Sequence, residues 1–202
     1  MIEVKVLKPG YTIDAGNDQV RSDGTITLIR GPNNLIVDTG SPHDRATILE
    51  CLDREGLGVD DINYVVCTHG HCDHVGNNNL FPEATFIVCH DISRGDLYTL
   101  HDFTRGQYVV DEGISVIATP GHTEQDVSVI VRASIGTVAV VGDLFESEDD
   151  LIDDSLWRRY SEDQTVQSQN RQMILQLAGY IVPGHGPMFA VPKTLDGRHR
   201  PR

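Results

Sequence analysis

The sequence predicts a layered α/β fold built as a single domain that spans residues 1–202. Two features indicate this class: short apolar runs bounded by turn residues recur along the chain, and two longer segments have helical spacing of their apolar residues. Because each sheet or helix buries one apolar side against another element, such mixtures fold as sheets covered by helices. The length is usual for one domain, and no linker rich in Pro, Gly or Ser divides it.

Nine of the apolar or β-branched runs are predicted to be strands. Most of them are too short for helices, and they end in turn-forming residues such as Gly, Pro and Asp. In chain order the predicted strands are residues 4–7, 25–29, 34–38, 62–67, 84–88, 114–118, 127–131, 136–143 and 180–184.

Two segments between and after these runs are predicted to be helices. The first covers residues 42–55 and follows Ser41, a residue type that caps helix N-termini. The second covers residues 163–178 and ends before Gly179, a residue type common just past helix C-termini. The apolar face of the first helix would consist of Ile48, Leu49 and Leu52.

The composition predicts an acidic, soluble protein of the cytoplasm. The formal net charge is −14, which at long range repels nucleic acid and anionic membranes. No apolar run approaches the roughly 18 residues that span a bilayer, and the N-terminus MIEVKVLKPG does not resemble a signal peptide. The basic segment GRHRPR at residues 197–202 is interpreted as a solvated terminus.

Four cysteines show no spacing typical of a disulfide framework, so we expect reduced thiols. Cys67 and Cys89 end apolar runs, where a buried thiol commonly packs. Cys72 alternates with its polar neighbours in an extended segment, and we interpret it as a packing thiol rather than a metal ligand or redox sensor.

The segment THGHCDH at residues 68–74 carries three histidines and an aspartate within six positions. Packing offers no reason for this density, because imidazoles and a carboxylate are costly to bury without compensation. Other donors follow predicted strands in the same way, each at a small turn. If these strand ends share one edge of the fold, the converging side chains are His69, His71, Asp73, His74, His122, Asp143 and His185.

This donor set suits zinc, although iron or manganese could occupy the same side chains. Seven donors are too many for one tetrahedral ion. Two zinc ions (Zn²⁺) that share one carboxylate and hold a water between them would use the whole set, and such a pair performs hydrolysis near neutral pH.

These motifs, with His122 after Pro-Gly, Asp143 after Val-Gly and His185 in VPGHG, resemble the metallo-β-lactamase superfamily over nearly the whole chain. The resemblance implies a four-layer αβ/βα sandwich with a dinuclear site at one sheet edge. It also implies that Asp38, in LIVDTG, orients the histidine segment. The implied ligands are His69, His71 and His122 for the first zinc, Asp73, His74 and His185 for the second, and Asp143 as the bridge.

The resemblance implies catalysis by a zinc-bound hydroxide, with Asp73 and Asp143 as the catalytic side chains. Several stretches, among them VLKPGY, GTVAVVGDLFE and VPGHGPMF, resemble one subfamily in particular. That likeness implies an endoribonuclease of the type that processes the 3′ ends of histone pre-messenger RNA, acting as a homodimer in cytosol and nucleus.

Two alternatives to an endoribonuclease are also compatible with the sequence: hydrolysis of a small thioester or lactone, and metal binding with little catalysis. The acidic segment ESEDDLIDD at residues 146–154 opposes an RNA substrate if it faces the metals, but we interpret it as a solvated loop directed away. Arginines at the rim of the cleft would favour RNA, and the candidates are Arg94, Arg105, Arg158 and Arg159.

Overall fold

The computed structural model describes residues 1–192, and the basic segment 197–202 lies outside the described residues. A seven-stranded mixed sheet forms one half of the fold, in the order β1-β4-β5-β6-β7-β8-β9. Its strands are β1 (Glu3–Lys8), β4 (Ile26–Arg30), β5 (Leu35–Val37), β6 (Tyr64–Cys67), β7 (Thr85–Val88), β8 (Asp91–Arg94) and β9 (Leu97–Thr99).

A six-stranded mixed sheet forms the other half, in the order β10-β11-β12-β13-β14-β15, and β2 and β3 form a separate two-stranded hairpin. The strands of the second sheet are β10 (Tyr108–Asp111), β11 (Ile114–Ala118), β12 (Val127–Ala133), β13 (Gly136–Gly142), β14 (Tyr180–Pro183) and β15 (Phe189–Ala190). The hairpin consists of β2 (Tyr11–Gly16) and β3 (Gln19–Asp23).

Three α-helices are described: α1 (Arg45–Arg54), α2 (Ser155–Arg158) and α3 (Gln164–Leu177). Four short 3₁₀ helices lie at Pro42–Asp44, Val59–Asp61, Asn78–Leu80 and Glu148–Leu151. Within residues 1–192, none of the helices has both the length and the apolar character to cross a membrane.

The layers follow from the alternation of side chains along the strands. In β6, Val66 packs between the two sheets, whereas its neighbour Val65 faces α1. In β13, Val140 packs between the sheets, whereas Val141 faces α3. Strands β6 and β13 are therefore apolar on both sides, and the layers follow the order helix, sheet, sheet, helix.

The predicted fold class is confirmed, and each of the nine predicted strands and both predicted helices has a counterpart in the structure. The β2-β3 hairpin was not predicted, because its side chains are mostly exposed and show no apolar alternation. One detail of α1 was wrong: Leu49 is exposed, whereas Cys51 is buried beside Ile48 and Leu52.

A buried ion pair attaches the segment after β13 to α3. Arg171 Nη1 donates to Asp150 Oδ2 at 2.9 Å and to the Leu144 carbonyl at 2.8 Å. The guanidinium also lies over the Phe145 ring at 3.9 Å. Burial raises the pKa of Asp150 and lowers that of Arg171, so each charge depends on its partner to offset desolvation.

Arg171→Met is expected to destabilise the fold by about 3–5 kcal/mol, because it leaves the Asp150 carboxylate buried without its partner. Urea unfolding measures the change. The control is Arg54→Met, which removes an exposed ion pair with Glu50 and should cost less than about 0.5 kcal/mol. Equal losses in the two variants would contradict a special role for the buried pair.

Candidate metal centre

The predicted donors meet where strands of both sheets end. Thr68 and His69 follow β6, Asp143 follows β13, and His185 follows β14 after one glycine. The sheets are joined here by backbone hydrogen bonds, including one from the Val127 amide to the Thr68 carbonyl at 2.9 Å. The strand ends therefore hold the donors on one shared edge.

Three histidines form the first group of donors. His71 Nδ1 lies 2.9 Å from His69 Nε2 and 3.1 Å from His122 Nε2. Ligand atoms of these three residues and Asp143 all lie within 4.8 Å of one another. His69 and His122 are buried, whereas His71 is exposed, so the group opens to solvent on the His71 side.

The second group consists of Asp73, His74 and His185, whose ligand atoms also lie within 4.8 Å of one another. Nε2 of each histidine is 4.0 Å from Asp73 Oδ2. Both histidines are buried and the aspartate is half-buried. The structure thus brings together the same two sets that the resemblance implies for two ions.

Asp143 lies between the two groups. Its Oδ2 atom is 3.3 Å from His122 Nε2 and 3.2 Å from His185 Nε2, and its Oδ1 atom is 3.2 Å from His74 Nε2. Burial would raise the pKa of this carboxyl, but the surrounding imidazoles, led by His74 and His185, hold the pKa well below its usual range. Asp143 is therefore an anion in contact with both groups.

Two glycines leave the room that this arrangement needs. A Cβ atom at Gly184 would lie 1.8 Å from Asp143 Oδ1, so any side chain there would displace the carboxylate. Gly142 has a φ of 52°, and a Cβ atom there would lie 2.2 Å from Thr68 Oγ1. Only glycine fits this backbone conformation and this contact without strain.

Asp38 occupies the position predicted for an orienting residue. It has a φ of 58° and is 2% exposed. Its carboxylate accepts hydrogen bonds from the Thr68 amide at 2.7 Å, the Thr68 hydroxyl at 2.9 Å and His74 Nδ1 at 2.8 Å. A proton held on Nδ1 leaves His74 Nε2 free as a donor to a metal.

His185 is oriented in the same way by the β2-β3 hairpin. Its Nδ1 donates to the Asp23 carbonyl at 3.1 Å, which leaves Nε2 directed at Asp143. Ser22 Oγ lies 3.3 Å from the same Nδ1 atom. The hairpin therefore contributes to the site although it carries none of the predicted donors.

The residues fit a metal ion on two observations. His74 Nε2 and Asp143 Oδ1 are buried 3.2 Å apart, but neither makes a hydrogen bond of acceptable geometry with the other or with any group within residues 1–192. Buried polar atoms of this kind are rarely left without a partner, and a metal ion would supply one. The nitrogen-rich donor set with carboxylates suits zinc and related transition metals better than calcium or magnesium.

The pKa values of the histidines are shifted in opposite directions. Burial lowers the pKa of His69 well below its usual value and lowers that of His122 as well. Burial acts in the same direction on His185, but Asp143 and then Glu146 outweigh it and raise its pKa to about 9. His74 also has a pKa well above the usual value, because Asp143 and Asp38 outweigh its burial.

The interpretation of residues 146–154 as a solvated loop directed away from the metals was wrong for Glu146 and Asp150, although Glu148, Asp149 and residues 152–154 are exposed. Glu146 lines the metal pocket, and its side chain is 10% exposed. Asp150 is buried against Arg171, and Asp149 lines the neighbouring groove. The signal for Glu146 was its place three residues after Asp143, which the overall acidity of the segment obscured.

A cleft leads from the donors to solvent. A pocket of about 240 Å³ is lined by Asp143 and His185 and by Thr12, Val20 and Ser22 of the hairpin. It shares Glu146 and Tyr160, among others, with an adjoining groove of about 500 Å³. A separate hollow of about 810 Å³ beside α3 and β14 contains none of the donors.

The lining of the cleft tests the expectation of arginines at its rim. Of the four candidate arginines only Arg159 lines the groove, and carboxylates of Asp14, Glu146 and Asp149 lie along the same cleft within the described chain.

The interpretation of Cys72 as a packing thiol was wrong, because this side chain is exposed. It belongs to none of the described candidate metal clusters.

The sequence matches the family model of the metallo-beta-lactamase superfamily over residues 21–185. The chain belongs to this superfamily. The protein called Metallo-beta-lactamase domain-containing protein 1 from Xenopus laevis is 48% identical over 194 residues, a match covering 94% of this chain and 82% of that protein. The human protein of the same name is 40% identical over 220 residues, covering 93% and 82% respectively.

Solved structures share the fold. AidC, described as a dizinc quorum-quenching lactonase in complex with a product, superposes with a TM-score of 0.67. The match covers 89% of this chain and 79% of AidC at 16% sequence identity, so it compares the fold alone. Membership of the superfamily supports the assignment of this protein as a metal-dependent hydrolase.

Zinc affinity is expected to rise with pH up to about 9, the pKa to which Asp143 raises His185. Below that pH the metal must displace a proton from His185, and the raised pKa of His74 adds to the pH dependence, so the loss is at least roughly tenfold in affinity per pH unit. Titration of metal-free protein with chelator-buffered zinc measures the slope. An affinity that stays constant between pH 7 and 9 would show that His185 is already neutral.

Asp38→Asn is expected to weaken zinc binding roughly 10- to 100-fold, because it removes the charge that orients His74 and fixes its tautomer. Zinc bound after gel filtration in limiting metal measures the effect. The control is Asp102→Asn, at an exposed carboxylate paired with Arg105. Unchanged zinc content in Asp38→Asn would contradict the orienting role.

Proposed function

We propose that this protein is a hydrolase that works with two zinc ions. One observation carries the proposal: the seven predicted donors lie in two groups, and Asp143 is in contact with both. A pair of ions that shares a carboxylate makes a water nucleophilic near neutral pH and stabilises charge that develops on the attacked group. Iron or manganese in place of zinc would use the same donors.

The side chains divide the work in this proposal. His69, His71 and His122 would hold one ion, Asp73, His74 and His185 the other, and Asp143 both. Asp73 is the half-buried carboxylate of the set, so it is placed to take up the proton that is released during attack. Asp38 would keep Nε2 of His74 available throughout the reaction.

The substrate that we propose is an RNA phosphodiester, cleaved internally as in 3′-end processing of histone pre-messenger RNA. The subfamily resemblance of the sequence supports this choice. Tyr11 and Tyr160 line the groove beside the metals, and aromatic side chains of this kind stack on bases. Arg159 in the same groove would pair with a phosphate.

A small thioester or lactone is the second candidate. A specific observation favours it: Asp14, Glu146 and Asp149 line the cleft, where Arg159 is the one described arginine. Carboxylates at the entrance repel a polyanion but leave a small neutral ester unaffected. The lactonase fold of AidC is consistent with such a substrate.

We also propose that the protein acts as a homodimer in the cytoplasm and the nucleus. In support of a dimer, β9 is an edge strand of the first sheet, and its Leu97 and Tyr98 are 71% and 61% exposed. An exposed apolar edge of this kind can pair with a second copy of the chain.

Two assays on one zinc-quantified preparation separate the candidate substrates: cleavage of a short single-stranded RNA, and hydrolysis of a generic thioester and lactone. Each is run with and without a chelator. RNA cleavage that the chelator abolishes and zinc restores is the expected result. Thioester or lactone turnover without RNA cleavage would replace the RNA proposal, and no turnover in protein that holds two zinc ions would leave a metal-binding role.

Asp143→Ala is expected to remove hydrolysis and lower the zinc content together, because both groups of donors lose their shared carboxylate. Metal analysis and turnover are measured on the same sample. Full activity at a zinc content matched to the unmodified protein would contradict the assignment of Asp143.

A further inference from the structure

Glu146 is a carboxylate beside the metal site that the seven-donor pattern does not include. Its Oε2 atom lies 3.8 Å from His185 Nε2. Ligand atoms of Glu146, His185 and Asp143 all lie within 4.8 Å of one another, which makes a third group that overlaps the second. Glu146 therefore approaches the His185 side of the site.

The backbone of Glu146 is held in place from both directions. Its amide donates to Asp150 Oδ2 at 2.8 Å, and its carbonyl accepts from the His185 amide at 2.8 Å. Asp150 is in turn fixed by Arg171. The residue is thus rigidly attached to the neighbour of one donor and to the ion pair that anchors α3.

The Glu146 side chain lines the pocket and is largely, but not fully, withdrawn from solvent. The side chain is 10% exposed, and within residues 1–192 its one basic neighbour within 4.0 Å is His185. A buried carboxylate is costly without hydrogen bonds or a counter-charge. Glu146 lies in the wall of a pocket that contains the metal donors, so a bound cation would offset the cost of burying its charge most directly.

We propose that Glu146 is an additional ligand of the ion that Asp73, His74 and His185 hold, an inference that rests on the proposed function. The two metal positions are then unequal. The first has three imidazoles and the shared Asp143, whereas the second has two imidazoles and up to three carboxylates. Carboxylate-rich positions favour harder divalent ions such as Mn²⁺ relative to nitrogen-rich ones.

The test is metal binding to metal-free protein, with Glu146→Gln compared with the unmodified chain. Glutamine keeps the size of the side chain but removes its charge and most of its donor strength. The matched control is Glu148→Gln, which makes the same change at an exposed position of the same segment. Thermal unfolding of the metal-free variants verifies that each is folded, and Glu146→Asp serves as a second, more conservative variant.

In Glu146→Gln the ion held by Asp73, His74 and His185 should bind at least about tenfold less tightly, with the other ion little changed, as expected for loss of a ligand or its support. Glu148→Gln should bind both ions as the unmodified chain does. Loaded with Co²⁺, Glu146→Gln should show a changed visible absorption band, because the band reports the number of ligands.

Three outcomes would overturn the inference. The first is an unchanged affinity in Glu146→Gln for the ion held by Asp73, His74 and His185, and the second is an equal loss of affinity in Glu148→Gln. The third is a weaker affinity in Glu146→Gln with an unchanged Co²⁺ spectrum, which would show that Glu146 acts through its charge and is not a ligand. Failure of the unmodified chain to bind a second ion would instead reject the proposed dinuclear function, and with it the basis of the inference.

Discussion

The structure around the site depends on one buried anion, the Asp143 carboxylate among four imidazoles. It is 5% exposed and in contact with both groups of donors. An isolated carboxylate at this depth would be strongly destabilising. Its neighbours offset that cost only while their rings are held in fixed orientations, so the hydrogen bonds behind the rings matter as much as the donors.

The fold supplies those orientations through strand ends rather than through helices. Asp38 lies at the end of β5 and reaches both the start of the histidine segment and His74. Asp23 lies at the end of β3 and reaches His185. The sandwich of two sheets brings the end of β5 to the edge where the donors lie, and the separate β2-β3 hairpin brings the end of β3 to the same place.

Much of this was predictable from the sequence, because the features involved are local and repetitive. Apolar runs that end in a donor residue predicted both the strands and the convergence of His69, His122, Asp143 and His185. What could not be predicted depends on tertiary packing. The polar β2-β3 hairpin has no apolar alternation, and the burial of Asp150 requires Arg171, which follows it by 21 residues. Glu146 and Cys72 were misjudged for the same reason, since acidity and alternation do not reveal what lies opposite a side chain.

The β2-β3 hairpin has a consequence for how a substrate enters. It belongs to neither main sheet, and its tip is a tight turn in which Asn17 and Asp18 both have positive φ. Elements with few buried contacts open at low free energy. The hairpin nevertheless ends at Asp23, whose carbonyl oxygen accepts the hydrogen bond from His185 Nδ1. A hairpin that lifts to admit a substrate would loosen that hydrogen bond, so the same movement that opens the cleft would alter the basicity of a metal donor.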